Sequence, residues 1–184
     1  MNKVVIFFAN GMETCEALNT IDLLRRANIN VVSASITGNL KISTSCKVEL
    51  HADILANDID YDSVNMLILP GGMPGTTNLA KNKLVCDKCL DFAEQGKYLA
   101  AICAAPSVLG RLGILKNRNA TCYPGFEDQL IEATYINTGL VDDGNIITAR
   151  ALGSAFDFAL NLIEKLCGKE AALNVKNSIY YNKN

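Results

Sequence analysis

Val4-Val5-Ile6-Phe7-Phe8-Ala9 is an unbroken apolar run, and it narrows the folds open to this chain. A strand with one wet face would alternate apolar and polar residues. A continuous run predicts a strand covered on both faces, the pattern of parallel sheets. The run ends at Asn10-Gly11, after which Ala17, Ile21 and Leu24 recur at helical spacing up to Arg25-Arg26-Ala27. Ile29–Ile36 reads as a second strand closed by Thr37-Gly38-Asn39, with shorter strand-like pieces at Lys41–Ile42 and Val48–His51. Met66–Leu69 is another buried strand, closed by Pro70-Gly71-Gly72, and Val85, Cys89 and Phe92 mark a helix ending near Gln95-Gly96. Tyr98–Ile102 follows as a strand, Pro106 to Leu112 as a helix and Ile146–Thr148 as a late strand. Phe156, Leu160, Ile163 and Cys167 give a helical stripe ended by Gly168, a C-cap signal. Strands alternating with helices predict an α/β fold, a mainly parallel sheet with helices on both faces, whose ligands bind at the carboxyl ends of the strands.

No linker, charge block or repeat divides the 184 residues, so a single domain over 1–184 is expected. Hydrophobic residues at 49% and charged residues at 20% supply a core and too little charge for disorder. Seventeen Lys plus Arg against 19 Asp plus Glu leave no basic footprint for nucleic acid. No apolar run approaches the roughly 20 residues of a membrane span. Met1-Asn2-Lys3 leads straight into a strand without a signal-peptide pattern, so a cytoplasmic protein with no membrane partner is expected. Seven scattered cysteines, an odd number, read as reduced thiols rather than a disulfide framework. His51 is the only imidazole available to a Cys–His or Ser–His pair, and no ligand spacing suggests a metal site. No glycine loop has phosphate-binding spacing, so no cofactor is expected.

Chemistry concentrates just after the strands. Cys103 lies between the Tyr98–Ile102 strand and a helix opening at Pro106. A nucleophile on such a sharp turn crowds the backbone two residues to either side, where this chain has Ala101 and Ala105. Pro106 suits a first helical turn, and a sulfur at a helix N-terminus should have its pKa lowered from about 8.5. The competing reading is a buried structural cysteine. Leu69-Pro70-Gly71-Gly72-Met73-Pro74-Gly75 could turn N–H groups toward a neighbouring site as an oxyanion hole does, or be a plain tight turn. Glu13 and Glu16 fall in the first turn of the first helix, where acids commonly cap and complement the dipole.

Together these segments resemble the DJ-one/ThiJ/PfpI superfamily, in the branch of the parkinsonism-associated protein and its bacterial relatives. The resemblance rests on Gly11 to Glu16, Asp22-Leu23-Leu24-Arg25-Arg26-Ala27, Leu69-Pro70-Gly71-Gly72, Ala100-Ala101-Ile102-Cys103-Ala104-Ala105-Pro106 and Thr148 to Phe156, in that order along the chain. It implies a flavodoxin-like three-layer sandwich, similar to class I glutamine amidotransferases, and a homodimer. It implies Cys103 as nucleophile, Glu16 as the acid that hydrogen-bonds the sulfur, and backbone N–H groups of Gly72 and Ala104, beside Gly71, as the oxyanion pocket. Cys15, Tyr123 and Arg150 are candidate pocket residues. The family is described as glyoxalases or deglycases acting on small carbonyl compounds, and also as oxidative-stress sensors, chaperones and, in a distant branch, peptidases. A carboxyl kept protonated beside the sulfur could donate a hydrogen bond or a proton.

One departure bears on function. Where some members carry a histidine, the Thr121–Pro124 segment has Tyr123, a poor base at neutral pH, which disfavours peptidase chemistry. His51 does not replace it and by family pattern should lie near the dimer contact. Cys86 and Cys89 form a Cys-x-x-Cys on a helix without the redox-motif context, so both are expected in the core. Cys15 is expected as a small packing residue or a resolving thiol, Cys46 and Cys122 as spectators, and Cys167 as core.

Overall fold

The structure, a computed structural model, describes residues 2–181. Along the chain, β1 (Lys3–Phe8) leads through α1 (Thr14–Arg26) to β2 (Asn30–Ser35), then to a hairpin of β3 (Lys41–Ser43) and β4 (Glu49–His51), and to a short β5 (Ile54–Leu55). β6 (Met66–Leu69) is followed by α2 (Gly75–Lys81) and α3 (Lys83–Glu94), and β7 (Tyr98–Ile102) by α4 (Pro106–Arg111). The remaining strands are β8 (Asn119–Ala120), β9 (Thr134–Tyr135), β10 (Leu140–Asp143) and β11 (Ile146–Ala149), before α5 (Ala155–Cys167) and α6 (Lys169–Ser178).

Seven strands form one sheet in the order β10-β11-β7-β6-β1-β2-β5, parallel except for β10, which runs antiparallel to β11. The order along β2-β1-β6-β7-β11 is that of flavodoxin-like sheets, the class expected from the sequence. Its cause is visible in β1. Val4, Ile6 and Phe8 pack with α1, α5 and α6 on one face, while Val5, Phe7 and Ala9 pack with α3 and α4 on the other. An uninterrupted apolar run is what a strand with two dry faces requires.

The α5 stripe is placed differently from the expectation. Leu160 and Ile163 of that stripe are buried, together with Ala155, Phe158, Ala159 and Leu162, whereas Phe156 is exposed and stacks on Tyr181 with ring centroids 5.0 Å apart. Cys167, expected in the core, is exposed. Apolar residues surround most of this helix, so more than one stripe fits a 3.6-residue period and packing selects the face. Two other cysteine expectations are corrected: Cys15 is exposed rather than a packing residue, and Cys86 is only half-buried, with its Sγ 3.3 Å from the Ala80 carbonyl. Cys89 is buried as expected.

The β3–β4 hairpin lies outside the main sheet and is tied to the loop after β1 by Gly11 N–H to Ser43 O at 2.8 Å and Ser45 N–H to Met12 O at 2.9 Å. His51 is exposed at its edge, paired with Lys41. Among the described residues, no helix is long and apolar enough to cross a membrane. Phe158 is fully buried between α5 and the sheet. Truncating it to alanine should cost about 3–5 kcal/mol, read as a lowered urea midpoint with unchanged slope.

Candidate active site

Cys103 is the residue at which the chain leaves β7. It adopts φ +66°, in the left-handed region that non-glycine residues seldom enter. The strain is held from both sides: the Cys103 N–H donates to Ala149 O at 2.9 Å, and the Tyr123 N–H donates to Cys103 O at 2.8 Å. Ala101 and Ala105 are both fully buried around the bend, and Pro106 opens α4 as the sequence suggested. The sulfur is half-buried and accepts hydrogen bonds from the backbone N–H groups of Gly72 and Ala104.

Two glycines let the β6 loop come this close. A Cβ at Gly71 would stand 2.5 Å from Cys103 Cβ and 2.8 Å from Glu16 Oε2. At Gly72, with φ +86°, a Cβ would stand 2.3 Å from the Glu13 nitrogen. No other residue fits either place, so the segment is more than a plain turn.

Glu16 comes from α1 and is 1% exposed. Its Oε2 accepts the Gly71 N–H at 3.0 Å, and the carboxyl hydrogen-bonds the Cys103 thiol. Oε1 is buried without a hydrogen-bond partner. Glu13 caps α1, its carboxylate accepting the Glu16 N–H at 2.6 Å, while its own N–H donates to Gly71 O at 2.9 Å. The cap therefore fixes the acid that faces the sulfur.

The electrostatics correct one expectation. Burial first, then the Glu16 carboxylate and its hydrogen bond, push the Cys103 thiol up to about 12, whereas the sequence suggested a lowered value. The Gly72 and Ala104 N–H groups act downward and are outweighed. Helix α4 has only six residues, Pro106–Arg111, and so carries little dipole to oppose the burial. Burial also raises Glu16 to about 7, the direction expected. Sharing a hydrogen bond, the two groups titrate as a unit that keeps one proton between about 7 and about 12. When that proton sits on the carboxyl, the sulfur is a thiolate between two N–H donors.

Of the other candidates, Tyr123 and Arg150 come to this corner. Tyr123 is 46% exposed, and its N–H holds the Cys103 carbonyl. Arg150 is half-buried and directly follows Ala149, the acceptor of the Cys103 N–H. Cys15 faces solvent, and His51 is on the outer hairpin. Cys122, set aside as a spectator, is fully buried beside Tyr123, and burial pushes its thiol up to about 11. The sequence reading missed the part of Ala149, whose carbonyl accepts the Cys103 N–H, and gave Gly75 no role of its own, where a Cβ would lie 2.5 Å from Met12. Backbone contacts of this kind leave no residue-type signal; the nearest hint was the clustering of glycines after β6. Among the described residues no three acidic, thiol or imidazole side chains are grouped to hold a metal ion.

A family model described as the DJ-1/PfpI family matches residues 2–165. The chain belongs to this family. It is 35% identical over 174 residues to Protein DJ-1 homolog B of Arabidopsis thaliana, covering 94% of this chain and 40% of that protein. The chain thus spans about two fifths of the length of that relative. A Caenorhabditis elegans member named glutathione-independent glyoxalase DJR-1.2 is 31% identical over 172 residues, covering 92% of this chain and 90% of that protein. Among solved structures, oxidized Toxoplasma gondii DJ-1 superimposes with a TM-score of 0.95 at 33% identity, covering 100% of both chains.

Within this DJ-1/PfpI site, Glu16 supplies a pH signature. Its native value of about 7 lies above the ordinary 4.5, so the folded protein holds a proton that the unfolded chain has lost. The resulting stabilisation is complete below about 4.5 and is lost as pH rises through about 7. Glu16→Gln should flatten this dependence by about 3 kcal/mol, measured by urea denaturation across that window.

Proposed function

We propose that this protein is a cysteine-dependent enzyme of the glyoxalase or deglycase type, acting on small 2-oxoaldehydes or their glycation adducts. The observation that carries the reading is the strained Cys103, with its sulfur among the Glu16 carboxyl and the N–H groups of Gly72 and Ala104. The name of the C. elegans relative supports the substrate class.

In the proposed reaction the Cys103 sulfur adds to the aldehyde carbon as its thiol proton passes to Glu16. The carbonyl oxygen takes negative charge between the Gly72 and Ala104 N–H groups, then the proton. Glu16, again a carboxylate, takes the proton from the former aldehyde carbon and returns it to the neighbouring carbon, while the hydroxyl proton on the former aldehyde oxygen passes to the neighbouring oxygen, leaving a 2-hydroxy thioester. Water hydrolyses that thioester to the 2-hydroxy acid and restores the thiol. No imidazole is needed, which suits a chain with Tyr123 in the family's histidine position and His51 on the hairpin. The same absence argues against peptidase activity. We place the enzyme in the cytoplasm as a homodimer, the state that the family resemblance implies.

Methylglyoxal should be converted to lactate, and Cys103→Ser should reduce the rate by roughly a hundredfold or more. Equal rates in the two proteins would reject the reading. Light scattering after gel filtration should give twice the 19.9 kDa chain mass.

A second reading has its own support in the oxidized state of the T. gondii relative. A half-exposed Cys103 could be oxidised by peroxide through sulfenic to sulfinic acid, with protonated Glu16 hydrogen-bonding a sulfinate oxygen. Intact-mass spectrometry after mild peroxide should show two added oxygens on Cys103. Oxidation of the exposed Cys15, Cys46 or Cys167 first would remove this reading.

A further inference from the structure

Helices α5 and α6 are joined by Gly168 alone, and between them runs a cleft of about 550 Å³, bordered on one side by residues 138–140. None of Cys103, Glu16, Gly72 or Ala104 lines it. Helix α5 contributes Asp157, Leu160, Asn161 and Glu164, and α6 contributes Lys169, Ala172, Leu173 and Lys176. Each set is spaced i, i+3, i+4, i+7, the pattern of residues that share one helix face. Leu160 and Ala172 are buried and Leu173 is exposed, which gives the cleft an apolar floor. Its two walls carry opposite charge, acids on α5 and lysines on α6.

Unpaired charges on a wet rim are ordinary, but a buried acceptor without a donor is not. Asn161 Oδ1 is such an acceptor. Its orientation follows from its neighbour: Asn161 Nδ2 donates to Asp142 Oδ2 at 3.1 Å, and Asp142 is ion-paired with Lys165 at 2.7 Å. A carboxylate in that state can only accept, so turning the amide over would set oxygen against oxygen. Oδ1 is thus left without a donor on the α5 wall, one helical turn from Glu164. The Glu164 carboxylate has no hydrogen bond or ion pair among the described residues, whereas Asp157 is engaged by the Tyr181 hydroxyl at 3.4 Å. On the α6 wall Lys169 and Lys176 also have no hydrogen bond or ion pair among the described residues, and Lys176 is half-buried.

We propose that this cleft binds a free α-amino acid with a large apolar side chain. Its ammonium group supplies the donor that Asn161 Oδ1 lacks and faces Glu164. Its carboxylate is taken by Lys176 across the cleft, and its side chain lies on Leu160, Ala172 and Leu173. A ligand that is only an anion or only a cation would suit one wall and be opposed by the other, while a zwitterion matches both. The volume is in the ordinary range for small-molecule sites and leaves room for a branched or aromatic side chain. Binding here involves no bond making and does not depend on the reactivity of Cys103.

The test is a titration of the ¹⁵N-labelled protein, followed by amide chemical shifts, with three compounds. L-phenylalanine has both charges, N-acetyl-L-phenylalanine lacks the ammonium group and L-phenylalaninamide lacks the carboxylate. Phenylalanine should bind with a Kd of about 2 mM or tighter and shift amides of residues 138–140, α5 and α6. Each blocked analogue should bind about tenfold more weakly. Asn161→Leu, which keeps the shape and removes the acceptor, should weaken phenylalanine about tenfold. Lys176→Met should bring phenylalanine and its amide to about the same affinity. The comparison of the three compounds on the parent protein needs no variant to fold. Equal affinities of the three for the parent, shifts that do not saturate, or shifts centred outside the cleft overturn the proposal. Undiminished binding of phenylalanine by Asn161→Leu overturns it as well.

Discussion

A carboxyl group buried against a thiol sets the terms for this structure. Glu16 sits on the inner face of α1 among Ala17, Ile21 and Leu24, where an ionised acid would be costly and an apolar residue would pack without penalty. It is tolerated because Gly71 donates to one oxygen, Cys103 shares a hydrogen with the carboxyl, and burial itself keeps the group close to neutral. Three loops from the carboxyl ends of β1, β6 and β7 must meet within hydrogen-bond reach for this to happen. The demands on Gly71, Gly72 and the bend at Cys103 follow from that meeting.

The same contact governs reactivity. An isolated cysteine at a helix start would be tuned by the helix dipole, but here a six-residue helix is set against burial and an adjacent acid, and the latter prevail. The resting thiol is therefore protected, and nucleophilicity depends on which of two atoms carries one shared proton. In the proposed reaction the carbonyl oxygen takes up the Gly72 and Ala104 N–H groups, and the acid must hold the proton at the moment of attack. Oxidation of the sulfur would draw on the same donors. The enzymatic and oxidative readings therefore compete for one device.

Much of the framework was legible in the residues. The β1, β6 and β7 runs are continuous because both of their faces are dry, and the bend at Cys103 announces itself through Ala101, Ala105 and Pro106, since the crowding is local. The face of α5 was not legible. Its apolar residues nearly encircle the helix, and only packing against the sheet and α6 decides that Phe158 goes in while Phe156 and Cys167 stay out. Cys15, similarly, could be small core or surface until the rotation of α1 was fixed by Glu16 and Ala17 beside it.

The sequence by itself determined the layered α/β architecture, the order of its elements and the residue types offered at each strand's end, because periodicity and turn chemistry act over a few neighbouring residues. Only the tertiary structure decided the direction of the Cys103 pKa and the meeting of Glu16 with the Gly71 N–H. Each of these depends on desolvation or on groups from distant segments, and no local pattern encodes a distance between strands that are remote along the chain.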